Sequence, residues 1–578
     1  MFALEIFLFI VAVVGVITLG IWKSRDEDLH GDKGASDYFL AGRGLTWWLV
    51  GFSLIAANIS TEQFVGMSGA SANWLGMAIA SYEWMAAVTL IFVAFWFLPK
   101  FLKAGLYTIP EFLEYRFDGV ARLAMAIPAI VTLVFVTTSS VIFSGAKFVS
   151  EYYNTVPVLN SLTAMCWLIA IFAAVYVFIG GLKACVWTDL IWGAALIVGG
   201  AVVMFLAFST LAEKPAEDLI LTKVANSEAT VQNLEGAGAW ERFMLLNDGV
   251  NGEAVAVEGP NGSGGKVHMI RPKTDSDIPW TALLIGLWIP NFFYWGLNQY
   301  IVQRTLGSKS LAEGQKGIVF AALLKLLIPF VVVIPGILAY NLFSGDLFNP
   351  TTGEYDYDRA FPVLVRNLIQ PLPWLSWFVL AALCGAVISS LASMLNSAST
   401  IATMDLYSKF TKEKNPEKLV KVGRFFVVLF VILAGLVAPA LDNFTSIFAY
   451  IQEFQGFISP GILAVFIFGF FSPKTPRYFG AVGIGLNVVS YGAFKWAIGP
   501  WLVSNGWWYA DQIAFLDRMA ICFLIVLLAG LILTIVKPMK APVEMPVNDE
   551  IALESSTGAK IVGIGVVIAS IALYAVFW

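Results

Sequence analysis

Charge is what this sequence has least of. Asp, Glu, Lys and Arg make up 13% of 578 residues while 58% are hydrophobic. So few polar side chains cannot clothe a soluble surface, which excludes a soluble globular protein and leaves an integral membrane protein. Histidine occurs twice, as His30 and His268, both in polar loops, so a histidine proton relay inside the membrane is excluded. The four cysteines, Cys166, Cys185, Cys384 and Cys522, sit in or at the ends of apolar runs without metal-type spacing, and disulfides are not expected. There is no phosphate-binding glycine loop of the kind an ATP-driven pump needs.

What is present is a train of apolar runs near the length of one spanning helix, about fourteen by that criterion. They cover 3–22, 46–70, 77–99, 122–148, 160–180, 185–210, 280–303, 315–342, 374–406, 422–440, 445–472, 478–500, 513–537 and 560–578. Lys23 and Arg25 follow the first run instead of preceding it, the order of a retained helix and not of a signal peptide. Basic residues gather in alternate loops: Lys23, Arg25, Lys33 and Arg43; Lys100, Lys103 and Arg116; Arg304, Lys309 and Lys316; Lys409, Lys412, Lys414, Lys418 and Lys421. The positive-inside rule then places these loops in the cytoplasm and both chain termini outside.

The one long interruption, 211–279, is extracytoplasmic by that alternation, and its Gly249–Gly265 stretch reads as flexible. Asn261-Gly262-Ser263 fits a glycosylation sequon, a short pattern with meaning only in a eukaryotic secretory setting. The loop 343–373, with Asp346, Glu354, Asp356, Asp358 and Arg359, reads as a solvated surface.

Polar residues inside the runs are the informative exceptions. Ser53–Gly69 reads S-L-I-A-A-N-I-S-T-E-Q-F-V-G-M-S-G and packs Asn58, Ser60, Thr61, Glu62 and Gln63 together. A hydrocarbon interior accepts neither an unpaired carboxylate nor clustered amides, so this face looks onto protein or a watery cavity. It reads as a broken helix forming half of a solute and ion site, or as a polar seam between helices. The seventh run, with Pro290, Asn291, Tyr294, Trp295, Gly296, Asn298 and Gln299, offers a second place for interrupted backbone bonding. Each opens a set of five helices, 46–210 and 280–472, and inverted-repeat transporters bind between two such breaks.

Lys325 lies nine residues beyond Lys316, roughly 14 Å along a helix, and needs a partner or a cavity at that depth. Glu83, near the start of the third run, is open to a site role or an interfacial one; Asp189 and Glu453 lie near expected helix ends. The ninth run ends in Ser389, Ser390, Ser393, Asn396 and Ser397, which let helices approach closely or supply hard oxygen donors for sodium. No thiol or imidazole is present in Ser53–Gly69 or in the polar stretch 386–400.

These stretches, with A-S-Y-E-W-M, F-Y-W-G-L-N-Q-Y-I-V-Q-R-T-L, Q-K-G-I-V-F-A-A-L-L-K, V-I-S-S-L-A-S-M-L-N-S and Y-I-Q-E-F, resemble the sodium/solute symporter family. Within it they are most similar to the sodium/glucose cotransporter branch and its bacterial sodium/galactose cotransporters, in order and spacing from the first run to the last. The resemblance implies an all-α membrane fold of about fourteen helices: a leucine-transporter-type 5+5 inverted repeat with flanking helices. Its segments would be 1–45 (first helix and cytoplasmic loop), 46–210 (repeat one), 211–279 (outer loop), 280–472 (repeat two) and 473–578 (three C-terminal helices).

By the same resemblance, Asn58, Gln63, Glu83, Asn291, Lys325 and Gln452 would hydrogen-bond a sugar. Tyr294 would stack on it as an inner gate beside Trp295, while Met67, Tyr82 and Phe448 would close the outer side. Sodium, co-transported, would rest on the carbonyls of Ala56, Ile59 and Ala386 and the hydroxyls of Ser389 and Ser390, with Asp189 on its exit path. Two departures stand out: Ala86 replaces a serine near the sugar, and the 211–279 loop is longer.

The expectation is therefore a transporter, not an enzyme: a sodium-coupled importer of a hexose, galactose or glucose, in a bacterial inner membrane with no nucleic-acid partner. The alternatives are a sodium or proton symporter of the same fold for a polyol, amino acid or vitamin, or else a channel or sensor.

Overall fold

The computed structural model describes residues 2–25, 34–225, 227–249, 265–350, 353–444, 447–549 and 551–578. His30, Lys33, the Asn261-Gly262-Ser263 sequon and most of the Gly249–Gly265 stretch lie outside the described residues.

All fourteen expected spans fall on helix. Ten are long and apolar enough to cross a bilayer as they stand: α1 (Leu4–Lys23), α3 (Gly76–Ala104), α4 (Gly119–Tyr152), α6 (Gly181–Glu213), α8 (Leu311–Leu347), α9 (Pro373–Thr411), α10 (Pro416–Asn443), α12 (Phe479–Ser504), α13 (Phe515–Val536) and α14 (Thr557–Val576). An eleventh, α11, is a pair, Ile447–Gly456 and Ser459–Phe471, bent by 44°. The shorter α5 (Leu162–Val175) meets α6 at Gly181, whose φ of 57° only glycine adopts without strain. The remaining two, α2 and α7, are interrupted.

In α2 the helix Trp47–Asn58 stops at Ile59, which is extended (φ −92°, ψ 103°). The chain restarts through Gln63–Met67 and Ser68–Ala72. The restart carries its own cap: the Glu62 N–H donates to Ser60 Oγ at 3.3 Å, and the Ser60 N–H donates to Gln63 Oε1 at 2.9 Å. This is the reciprocal serine and glutamine arrangement that satisfies orphan donors at a helix start. In α7 the pieces Trp280–Leu284, Trp288–Leu297 and Gln299–Leu306 are separated at Ile285 and at Asn298, the latter extended with ψ 121°.

The Trp47–Asn58 half of α2 packs against α6, α8 and α9. Its other half is tied to α8 by Ser68 and Ser71, whose hydroxyls donate to the carbonyls of Val332 (2.6 Å) and Val333 (2.8 Å). α14 covers α3 and α8, with Trp84 of α3 wedged among Phe330, Tyr574 and Phe577.

Two loops are more than the sequence reading makes of them. The 211–279 segment is folded over its described part, with helices Ala216–Leu219, Val231–Gly236 and Ala239–Asn247. Its Lys266 is fully buried against α2 and α3: Nζ donates to the Ala72 carbonyl at 2.7 Å, and the Lys266 carbonyl accepts from the Met77 N–H at 2.6 Å. Gly76, at φ 52°, leaves no room there, since a Cβ would stand 2.2 Å from the Lys266 oxygen. Nζ also lies 3.9 Å from the Tyr340 ring centroid, and burial pushes the amine down to about 7.

The 343–373 loop carries a two-residue hairpin, β1 (Phe348–Asn349) antiparallel to β2 (Glu354–Tyr355). It is not a free solvated surface. Asp356 pairs with Lys147 of α4 at 3.1 Å and Arg359 with Glu151 at 3.0 Å. Asp358 packs so close to Gly69 that a Cβ there would lie 2.9 Å from its carboxylate. Burial pushes Asp358 up to about 7.

Candidate functional site

The break in α2 faces α7, α3, α8 and α11 across a cavity of about 70 Å³. It is lined by Asn58, Glu62, Gln63, Met67, Tyr82, Glu83, Pro290, Asn291, Tyr294, Trp295, Lys325, Phe448, Ile451, Gln452 and Gln455. Every residue expected to touch a sugar or to gate it is in that lining, although the residues come from five different helices.

The chemistry centres on Lys325, which is fully buried. Its ammonium donates to Glu83 Oε2 and to Asn58 Oδ1, and it sits 4.8 Å from the Trp295 ring centroid. Glu83 is 4% exposed and borders the cavity. Asn58 passes the connection on, its Nδ2 donating to the Tyr294 hydroxyl at 2.9 Å, and that hydroxyl pairs with Tyr300. A charged pair in a low-dielectric interior is held best when further hydrogen bonds meet its other donors and acceptors, and Asn58 Oδ1 takes one more Lys325 proton.

Toward the side of the chain termini, Tyr82 and Phe448 close the cavity with rings 5.0 Å apart and at 86°. Phe448 also floors a second cavity of about 280 Å³ lined by Asn73, Trp74, Asp277, Tyr357, Asp358 and Gln512. Burial and the neighbouring Asp275 push Asp277 up to about 6. On the opposite side Tyr294 and Trp295 meet at 5.1 Å. Asn291 faces the cavity while its Nδ2 donates to the Leu287 carbonyl at 2.9 Å. The Oε1 of Gln452 and the hydroxyl of Tyr82 are buried without a partner.

Behind the break, α9 brings its serines to the loosened backbone. Ser390 Oγ donates to the Ala56 and Ala57 carbonyls at 3.2 and 3.3 Å. Ala386 stands one turn before Ser390, and Ile59 forms the extended link itself. These are hard oxygens, suited to an alkali or alkaline-earth cation and not to a soft metal.

Ser389 turns to Asp189, which is fully buried in α6 and not at a helix end. Asp189 also accepts from Ser53 Oγ and pairs with Arg304 at 3.3 Å. Arg304 is the clearest correction to the sequence reading. Counted among basic loop residues, it is fully buried and donates to Ser53 at 2.7 Å, to Ser393 and to the Tyr300 carbonyl. An arginine closing an apolar run looks the same whether it leaves the membrane or folds back, so only the α7 break at Asn298 distinguishes the two. Glu453 stays outside the cavity lining and bonds Arg518, Lys495 and Tyr491.

Residues 38–483 match the model of the sodium:solute symporter family. The chain is 40% identical over 495 residues to a sodium/glucose cotransporter of Vibrio parahaemolyticus, covering 84% of each. It is 33% identical to the uncharacterized symporter YidK of Escherichia coli (strain K12), covering 99% of this chain and 91% of that one. Human sodium/glucose cotransporter 4 is 30% identical, with 84% and 68% covered. Among solved structures, a sodium-coupled sialic acid symporter in a substrate-bound outward-open state superimposes with a TM-score of 0.70 at 19% identity, covering 94% of this chain and 99% of that one.

Proposed function

The chain belongs to the sodium:solute symporter family, a multi-pass membrane transporter that carries sodium with a small solute, and we propose that its solute is a hexose. The observation that carries this reading is the cavity between the two helix breaks. Amides, one paired carboxylate and one ammonium converge there with the aromatic faces of Tyr294 and Trp295. Each hexose hydroxyl can both donate and accept, and a ring face is apolar, so this mixture can satisfy both. The sodium/glucose names of several relatives support the same solute class.

In the proposed cycle the basic loops face the cytoplasm and both termini face outward. Sodium binds where Ser390 now bridges to Ala56, at the Ala56, Ile59 and Ala386 carbonyls and the Ser389 and Ser390 hydroxyls. Drawing the α2 break onto α9 orders Asn58 and its partners, so sodium raises hexose affinity. A cavity of about 70 Å³ has room for about five waters, so a hexose enters only after the Tyr82 and Phe448 rings part. Release inward requires Tyr294 to let go of Asn58. Each charge moved inward down the membrane potential supplies about 2.3 kcal/mol per 100 mV, to which the sodium gradient adds.

The test is uptake of labelled galactose, glucose and a polyol into proteoliposomes, with sodium against choline. Saturable, sodium-dependent uptake of a hexose is expected; uptake of the polyol alone, or uptake indifferent to sodium, overturns the proposal.

A further inference from the structure

Gln63 and Glu62 are neighbours at the restart of α2, and both line the cavity. Their atoms are not equally free. Gln63 Oε1 accepts from the Ser60 N–H at 2.9 Å, a bond that caps the restarted helix. That fixes the amide's orientation, because only the carbonyl oxygen can receive an N–H. The Nε2 end is thereby turned to Glu62, donating to its Oε1 at 3.3 Å. Glu62 Oε2 is left over: buried, without a hydrogen-bond partner, on a side chain 8% exposed that borders the cavity. The other carboxylate of the cavity, Glu83, is taken by Lys325.

A buried carboxylate oxygen with no donor is costly, and the cost is recovered only when a donor arrives. The donors a hexose brings are hydroxyls. Resting on the hexose reading above, we infer that Glu62 is a substrate-binding residue whose Oε2 accepts a sugar hydroxyl, and that Gln63 is a positioning residue that aims it. The structure thus divides two adjacent side chains into a ligand and its support. It also makes Glu62 a determinant of which hydroxyl must be present, since a site built around an acceptor rejects the analogue that lacks the matching donor.

The experiment is a cycle of E62Q against monodeoxygalactoses, read as half-saturating sugar for sodium-driven uptake in proteoliposomes. E62Q is expected to raise the half-saturating galactose at least about tenfold and to leave the half-saturating sodium within about twofold. One deoxygalactose, poor on the wild type, loses nothing further on E62Q, whereas the others lose equally on both. Q63A is expected to weaken all the sugars together, without that selective pattern. Should E62Q not fold, E62D, which keeps the charge on a shorter arm, takes its place in the same cycle. Wild-type galactose affinity in the variant overturns the inference, as does a uniform loss across all analogues or a shift confined to sodium. Absence of hexose uptake by the wild type overturns the solute reading itself, and the assignment of Glu62 with it.

Discussion

At the scale of single residues the account turns on which buried charges have partners. Lys325 and Glu83 neutralise each other inside the membrane, and removing one member strands the other at a cost of about 3–5 kcal/mol. K325A is therefore expected to lower the thermal midpoint of the purified protein and to raise half-saturating hexose at least about tenfold, with sodium half-saturation nearly unchanged. The double variant K325M/E83Q removes both charges; it should regain most of the midpoint and none of the hexose affinity, as a melting curve and an uptake series would show. In the proposed cycle Ser390 serves sodium. S390A removes one hard oxygen next to Ala56 and should raise half-saturating sodium several-fold while leaving hexose affinity at saturating sodium intact. An unchanged sodium curve would remove Ser390 from the ion site.

At the scale of elements, the breaks work because other segments hold their ends. Lys266 locks the end of α2 to the start of α3 through the Ala72 and Met77 backbone, and Gly76 makes the approach possible. G76A should therefore lower the thermal midpoint, because both its φ and the space beside it forbid a side chain. The buried amine adds a pH dependence whose sign follows from its depression from 10.5 to about 7. Between those values the unfolded chain holds a proton that the folded one has released, so stability rises with pH across that window. Below about 7 the penalty for burying the charge is present in full. The midpoint, followed by tryptophan fluorescence from pH 7 to 9, should climb in the wild type and climb less in K266M. Asp358, raised to about 7, acts oppositely and lower down, its contribution fading as pH rises from about 4 to 7.

At the scale of the whole molecule, most of the architecture was legible because a bilayer leaves little choice: apolar length gave the spans, and polar residues within them marked both breaks. The lining of the cavity came through likeness to a family, while the energetic roles within it did not. Nothing in the order of residues says that Gln63 spends its oxygen on Ser60 or that Arg304 folds back onto Asp189, since both depend on where a chain bends. Nor does composition reveal that Asp356 and Arg359 of the 343–373 loop dock onto α4, because charged loops read alike whether solvated or packed. In the proposed mechanism two interrupted helices hold a cation and a carbohydrate in one coupled site. Binding of labelled galactose to the purified protein across a sodium series, with choline holding ionic strength, tests it most directly. Binding is expected to rise with sodium, with a sodium midpoint that moves upward in S390A; equal galactose binding in sodium and in choline would overturn the coupled site.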